Sequence, residues 1–181
     1  MPAAEPTLHM LCGKIAAGKS SLAAQLGAAP LTVIVSEDQW LFHLFGSEMA
    51  SVEDYVRCAA TLRRAMAPHV ADLRKAGMSV VLDYPANTLA NRAWMKAIAG
   101  EAGVAHRLHW LDVPDEVCRA RLRARNAAGE HEFAATDAQF DQITAYFVPP
   151  TAAEGLEIVE KQLKDRTVRS GEEELFKARA N

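Results

Sequence analysis

Nothing in this sequence of 181 residues approaches the roughly 18 consecutive apolar residues that a membrane-spanning helix requires. Cysteine is scarce: Cys12, Cys58 and Cys118 are an odd number with no Cys-x-x-Cys pair, which argues against a disulfide framework or a zinc site and for reduced, mostly buried thiols. There is no basic excess either. Twenty Lys and Arg stand against 23 Asp and Glu, a net charge of −3, which disfavours a general binder of nucleic acid or anionic membrane. Residues 1–6 lack a basic stretch followed by an apolar run, so no signal peptide is expected, and cytoplasmic residence follows by default. Without repeats, low-complexity tracts or a Gly/Ser-rich linker, the chain reads as one domain over residues 1–181, long enough to bury one sizeable core.

What is present is an alternation of short apolar runs with longer amphipathic stretches. Residues 7–12 (TLHMLC), 31–36 (LTVIVS), 78–83 (MSVVLD), 105–113 and 156–160 read as strands. Helices are expected at 19–26 and 51–76, the latter ended by Gly77 and kinked or divided by Pro68, which lacks an amide donor. A further helix at 89–102 closes at Gly103, and Pro114 opens another in its first turn. The charged tail from 166 reads as a peripheral helix. Such alternation implies an α/β fold, a parallel sheet covered on both faces with ligands bound at the carboxyl ends of its strands.

Between the first strand and the first helix lies Gly13-Lys14-Ile15-Ala16-Ala17-Gly18-Lys19-Ser20, with Ser21 following. Gly-x-x-x-x-Gly-Lys-Ser has a direct mechanism. Gly13 and Gly18 allow positive φ and close backbone approach, so consecutive amides converge on a phosphate. The helix N-terminus adds partial positive charge. Lys19 reaches the β- and γ-phosphates of ATP, and the Ser20 hydroxyl is a ligand for Mg²⁺.

Three further groups fall at strand ends. Asp83 closes the run Val80-Val81-Leu82, where a carboxylate can hold the Mg²⁺ shell or simply serve a turn. Asp38 follows the second strand in Ser36-Glu37-Asp38-Gln39-Trp40, positioned to take a proton from an attacking hydroxyl, with Glu37 its rival and helix capping the alternative. Along the arginine-rich helix 115–126, about 100° per residue sorts the side chains. Measured from Cys118, Arg125 and Arg121 lie roughly 20° and 60° away on the inward side, whereas Arg119 and Arg123 lie roughly 100° and 140° away, toward solvent. Arg121 and Arg125 are therefore expected to neutralise charge on the transferring phosphoryl group or stack on the base. Residues 127–132 read as a short lid, with His131 between Glu130 and Glu132 lacking the geometry of a metal site. Trp40, Phe42 and His43 suit either the core or an acceptor pocket, and Asn87 and Arg92 are candidates for acceptor contact.

Together these residues resemble the P-loop kinases of the nucleoside/nucleotide-kinase type, in particular the small AAA-type ATP-binding proteins grouped with chloramphenicol phosphotransferase, zeta toxins and the kinase domain of polynucleotide kinase. The resemblance spans residues 8–160 and runs through GKIAAGKS, SEDQW, VVLDYPAN with Arg92, and LDVPDEVCRARLRARN. It continues in Thr136-Asp137-Ala138-Gln139-Phe140 and in Phe147-Val148-Pro149-Pro150 with Glu154-Gly155. It implies a three-layer α/β/α fold with a five-stranded parallel sheet, ATP·Mg²⁺ as donor, Asp38 as the acceptor-side base, and Arg121 and Arg125 as lid-side arginines (lid about 119–133). Many relatives read Gly-Ser-Gly-Lys-Ser-Thr where this chain has Ala16-Ala17-Gly18-Lys19-Ser20-Ser21. The expected activity is phosphoryl transfer from ATP to a hydroxyl of a small molecule, by a monomer or homodimer. A slow nucleotide-dependent switch and a polynucleotide 5′-hydroxyl kinase are the alternatives. The second is disfavoured by the mild acidity and the lack of an aromatic-and-basic track.

Overall fold

The computed structural model describes residues 5–129 and 135–162. The expected lid residues 130–134, with Glu130, His131 and Glu132, and the tail from 163 lie outside them.

Five parallel strands form one sheet: β1 (Thr7–Cys12), β2 (Thr32–Ser36), β3 (Ser79–Pro85), β4 (Ala105–Asp112) and β5 (Ile158–Gln162), in the order β2-β3-β1-β4-β5. Their β-branched and leucine-rich runs suit strands covered on both faces. On one face Leu8, Met10 and Cys12 of β1, Val80, Leu82 and Tyr84 of β3 and Leu108 of β4 form the main core. It is closed by Val70 and Ala71 of α3 (Val52–Lys75) and by Met95, Ile98 and Ala99 of α4 (Leu89–Ala102). On the other face Leu11 and Val81 pack against Leu22 and Ala23 of α1 (Lys19–Gly27). The three-layer α/β/α arrangement with a five-stranded parallel sheet is thus the observed one.

Local chemistry explains the helix ends. Ser51 and Asp54 form a reciprocal capping box at the start of α3, and the Thr88 hydroxyl accepts the Asn91 amide at the start of α4. The latter helix ends, as expected, at Gly103 in the left-handed region. Pro68 does not divide α3, which runs unbroken from Val52 to Lys75. It lies on the exposed side, where the carbonyl it leaves unpaired is open to water, while Cys58, Ala59, Leu62, Val70 and Ala71 hold the other side of the helix in the interior. Pro114 stands one position outside α5 (Asp115–Ala128) rather than in its first turn. Residues 127–128, expected in a lid loop, belong to this helix, which ends at Gly129 in the left-handed region. Helix α6 (Asp137–Thr144) was not anticipated. It is started by a Thr136–Gln139 capping box and tied to α5 through Arg119 with Asp141 and Arg123 with Asp137.

Candidate active site

At the carboxyl ends of the strands a cleft of about 920 Å³ opens, lined by the P-loop and by groups from every layer of the fold. The loop enters it between β1 and α1. Gly13, at φ 157°, needs glycine for both its backbone conformation and its space. A Cβ there would stand 3.1 Å from the Leu111 carbonyl oxygen and 3.2 Å from the Ala17 Cβ. Gly18 is truly left-handed, at φ 101°, and so is Ala16 at φ 59°, a conformation that L side chains adopt at a cost. Both expected glycines therefore use positive φ, and Ala16 carries a third such bend. Ala17 is buried against Val113, Cys118, Leu122 and Phe140, which seats the loop on α5 and α6.

Polar contacts fix the loop from both sides. The Gly13 amide donates to Asn87 Oδ1 at 3.0 Å, and the Lys19 ammonium donates to the Gly13 and Lys14 carbonyls at 2.8 and 2.9 Å. Burial lowers the Lys19 pKa, opposed by the charge of Asp83. Lys14 turns its side chain to an ion pair with Asp115 and toward the Phe147 ring, so it can serve a phosphate through its backbone only. The first turn of α1 contains no acidic residue and its cap makes no side-chain hydrogen bond. The amides at this terminus are thus left for an anion, and the cradle fits a polyphosphate.

Ser20 and Asp83 both line the cleft. Hydroxyl and carboxylate oxygens are the hard donors that suit Mg²⁺, an ion that takes few protein ligands and completes its shell with phosphate and water. Among the described residues no group of three His, Cys, Asp or Glu stands close enough to cage a metal unaided, in keeping with such a sparse site. Strand β3 runs two residues past Asp83, which faces Ser36 of β2 in register.

The carboxylate pair separates clearly. Both begin α2 (Glu37–Phe45), for which Ser36 is the N-cap without a side-chain bond. Glu37 is 0 % exposed and accepts from Arg63 Nε at 2.9 Å, while Arg63 Nη1 reaches Asn91 Oδ1 at 2.9 Å. Burial raises the Glu37 pKa, and Arg63 opposes it. Asp38, the next residue, is exposed and lines the cleft. Adjacent helical positions differ by about 100°, which puts one carboxylate in the interior and the other over the loop.

Arg121 and Arg125 line the cleft, on the side that helical spacing assigns them. Desolvation lowers the Arg125 pKa, and the charge of Asp38 counters it. Arg119 lies on the outer side of α5 as expected, where it pairs with Asp141 and stands 4.5 Å over the Phe140 ring. Arg92, a candidate for acceptor contact, is 0 % exposed and fully engaged. It donates to Glu154 at 2.6 and 3.0 Å, to the Val148 carbonyl at 2.8 Å and to the Ala86 carbonyl at 3.0 Å. Asn87 lines the cleft but spends its side-chain oxygen on Gly13. Trp40, Phe42 and His43 are neither core nor cleft: they sit on the exposed side of α2. Tyr55, Tyr84, Gln25 and Lys161 also line the cleft, and no local sequence signal marks them.

A family model described as AAA domain, AAA_33, matches residues 8–150. Among solved structures, the APS kinase CysC of Mycobacterium tuberculosis in complex with AMPPNP and APS is similar at 20% identity, with a TM-score of 0.60, covering 98% of this chain and 99% of that one. Kti12 of Chaetomium thermophilum in complex with ADP-AlF3 is similar at 16% identity, TM-score 0.67, covering 97% and 100%. A sugar kinase of Janibacter sp. HTCC2649 is similar at 13% identity, TM-score 0.59, covering 95% and 93%. At these identities the likeness is one of fold. No curated protein sequence matches the chain.

Proposed function

Because the chain belongs to the AAA_33 family of AAA domains, with the fold of P-loop kinases, we propose that it is an ATP-dependent phosphotransferase acting on a hydroxyl of a small molecule. The observation that carries this reading is that one cleft is lined by Lys19 and Ser20 of the loop together with Asp83, Asp38, Arg121 and Arg125. A slow switch would need the loop and a metal ligand; it would have no use for an exposed carboxylate facing lid arginines.

In this reading the backbone of residues 13–21 and Lys19 hold the phosphates of ATP. Ser20 and Asp83 would hold Mg²⁺, which supplies charge neutralisation when bound. Asp38 accepts the proton of the acceptor hydroxyl as its oxygen forms a bond to the γ-phosphorus. The bond from that phosphorus to the β,γ-bridging oxygen breaks and ADP departs. Arg121 and Arg125 balance the charge spread over the transferring group. Glu37 is set aside as base because Arg63 and the interior hold it. Three buried free cysteines suit a reducing compartment, here the cytoplasm, and among the described residues no helix is long and apolar enough to cross a membrane.

The test is γ-phosphate transfer from ATP with Mg²⁺ across a panel of small alcohols, sugars, nucleosides and a 5′-hydroxyl oligonucleotide. Wild type should phosphorylate a small molecule, Lys19→Ala should abolish transfer, and Asp38→Asn should lower kcat by about 10²–10⁴ while ATP affinity is kept. Acceptor-independent hydrolysis untouched by Asp38→Asn would refute the assignment.

A further inference from the structure

Pairing of β2 with β3 ends with Ser36 opposite Asp83. Asp38 stands two residues further on, in the first turn of α2, and the N-cap of that helix makes no side-chain hydrogen bond. Leu41 seats α2 on Cys58, Ala59 and Leu62 of α3, but apolar contact is non-directional. Direction comes from the next residue of α3. The Arg63 guanidinium donates from Nε to Glu37 Oε1 and from Nη1 to Asn91 Oδ1, each at 2.9 Å. Asn91 passes the contact on, since its Nδ2 donates to the Pro85 carbonyl at 2.8 Å.

The aromatic neighbours point the same way. Arg63 lies 5.7 Å from the centroid of the Trp94 ring, and that ring lies 5.5 Å from the ring of Tyr84. One planar group thus joins the start of α2 to residues 84 and 85, which directly follow Asp83 on β3. Stability alone is a poor reason for it. Glu37 is wholly buried, and a buried ion pair is often no better than an apolar pair of the same volume. What a guanidinium contributes, with its donors in a fixed plane, is relative orientation.

Resting on the phosphotransferase reading, we infer that Arg63 is a positioning residue for the transfer step: through Glu37 on one side and Asn91 on the other, it sets the helix start that carries Asp38 against the strand end that carries Asp83. The base and the metal carboxylate come from different elements, so their relative placement depends on what joins those elements. A misplacement of about 1 Å in such a site is enough to cost about a hundredfold in rate. Arg63 acts through its partners, and the loop holds the nucleotide without it.

The experiment titrates the full chain with a fluorescent methylanthraniloyl-ADP and Mg²⁺, with and without aluminium fluoride, which beside ADP mimics the transferring phosphoryl group with water in place of the acceptor. In wild type the fluoride should tighten ADP by about 10² or more, and Asp38→Asn should lower that gain. Arg63→Lys keeps a counter-charge for Glu37 but cannot span to Asn91 as well. Asn91→Leu keeps the Arg63–Glu37 pair and cuts the path to Pro85. Both variants should fold, bind ADP as wild type does, and lose at least tenfold of the tightening. Combined with Asp38→Asn, each should lose less than twofold more, because the group being positioned is already disabled. Tightening kept in either variant, ADP affinity falling in step with it, or losses that multiply with that of Asp38→Asn overturn the inference. So does failure of both variants to fold, or a wild type that binds ADP without tightening. A wild type that fails to bind ADP refutes the phosphotransferase reading itself, a distinct result.

Discussion

Removing the charge of Glu154 is the substitution whose cost the structure defines best. Its carboxylate takes two hydrogen bonds from Arg92, a guanidinium wholly out of solvent that also holds the Val148 and Ala86 carbonyls. Glu154→Gln keeps the volume but leaves that guanidinium buried without a counter-charge. Breaking one side of such a pair costs about 3–5 kcal/mol, a large share of the roughly 5–15 kcal/mol by which domains are stable. The double variant Arg92→Met/Glu154→Leu removes both charges and should cost less than Glu154→Gln alone. Urea unfolding followed by circular dichroism gives both values. Acid adds a signature: Arg92 holds the Glu154 pKa below its ordinary value. The stabilisation is therefore complete above the ordinary glutamate range and lost as pH falls through the lower folded value, a loss that Glu154→Gln should not show. A change under 1 kcal/mol for Glu154→Gln, or a double variant worse than the single, would refute this account of the clamp. Were Arg92 an acceptor contact instead, Glu154→Gln would raise KM and leave stability alone.

Three other substitutions probe separate features. Ala16→Gly relieves a left-handed alanine, worth about 1–2 kcal/mol, against about 0.4–1 kcal/mol of added unfolded-chain entropy; a small rise in Tm with unchanged ATP affinity is expected by calorimetry. Gly13→Ala places a Cβ against the Leu111 carbonyl, so nucleotide affinity by titration calorimetry should fall at least tenfold, and retained affinity would show that the loop yields there. Burial, chiefly, pushes the His109 pKa down to about 4. As pH falls from 6.5 toward 4 the unfolded chain takes up a proton that the folded one refuses, so stability falls over that window; His109→Phe should flatten this part of the pH–stability curve.

The glycine-lysine loop and the strands were legible because each is written in adjacent residues: β-branched runs, Gly18 at a helix start, Gly103 at a helix end. The inward side of α5 was legible for Arg121 and Arg125 because helical angle alone decides it. The partner of Arg119 could not be named because α6 was not foreseen, although Thr136 and Gln139 spell a capping box. Arg92 could not be assigned from its neighbours, since Glu154 lies 62 residues away. The Glu37–Asp38 choice stayed open for the same reason: only Arg63, 26 residues later, shows which carboxylate is interior. That Pro68 leaves α3 undivided was not legible, because a propensity rule omits which side of a helix meets water.

The strand order has a consequence for the chain as it is made. β1 pairs only with β3 and β4, never with β2. The strand that carries the phosphate loop therefore has no partner until Ser79 and the residues after it have been synthesised. At roughly 5–20 residues per second, the 67 positions from Cys12 to Ser79 take about 3–13 s. Throughout that interval Leu8, Met10 and Leu11 have no sheet to enter. A nascent chain stalled before Ser79 should therefore be bound by chaperones and blind to ATP, and one stalled after β4 has emerged should be the first to hold it.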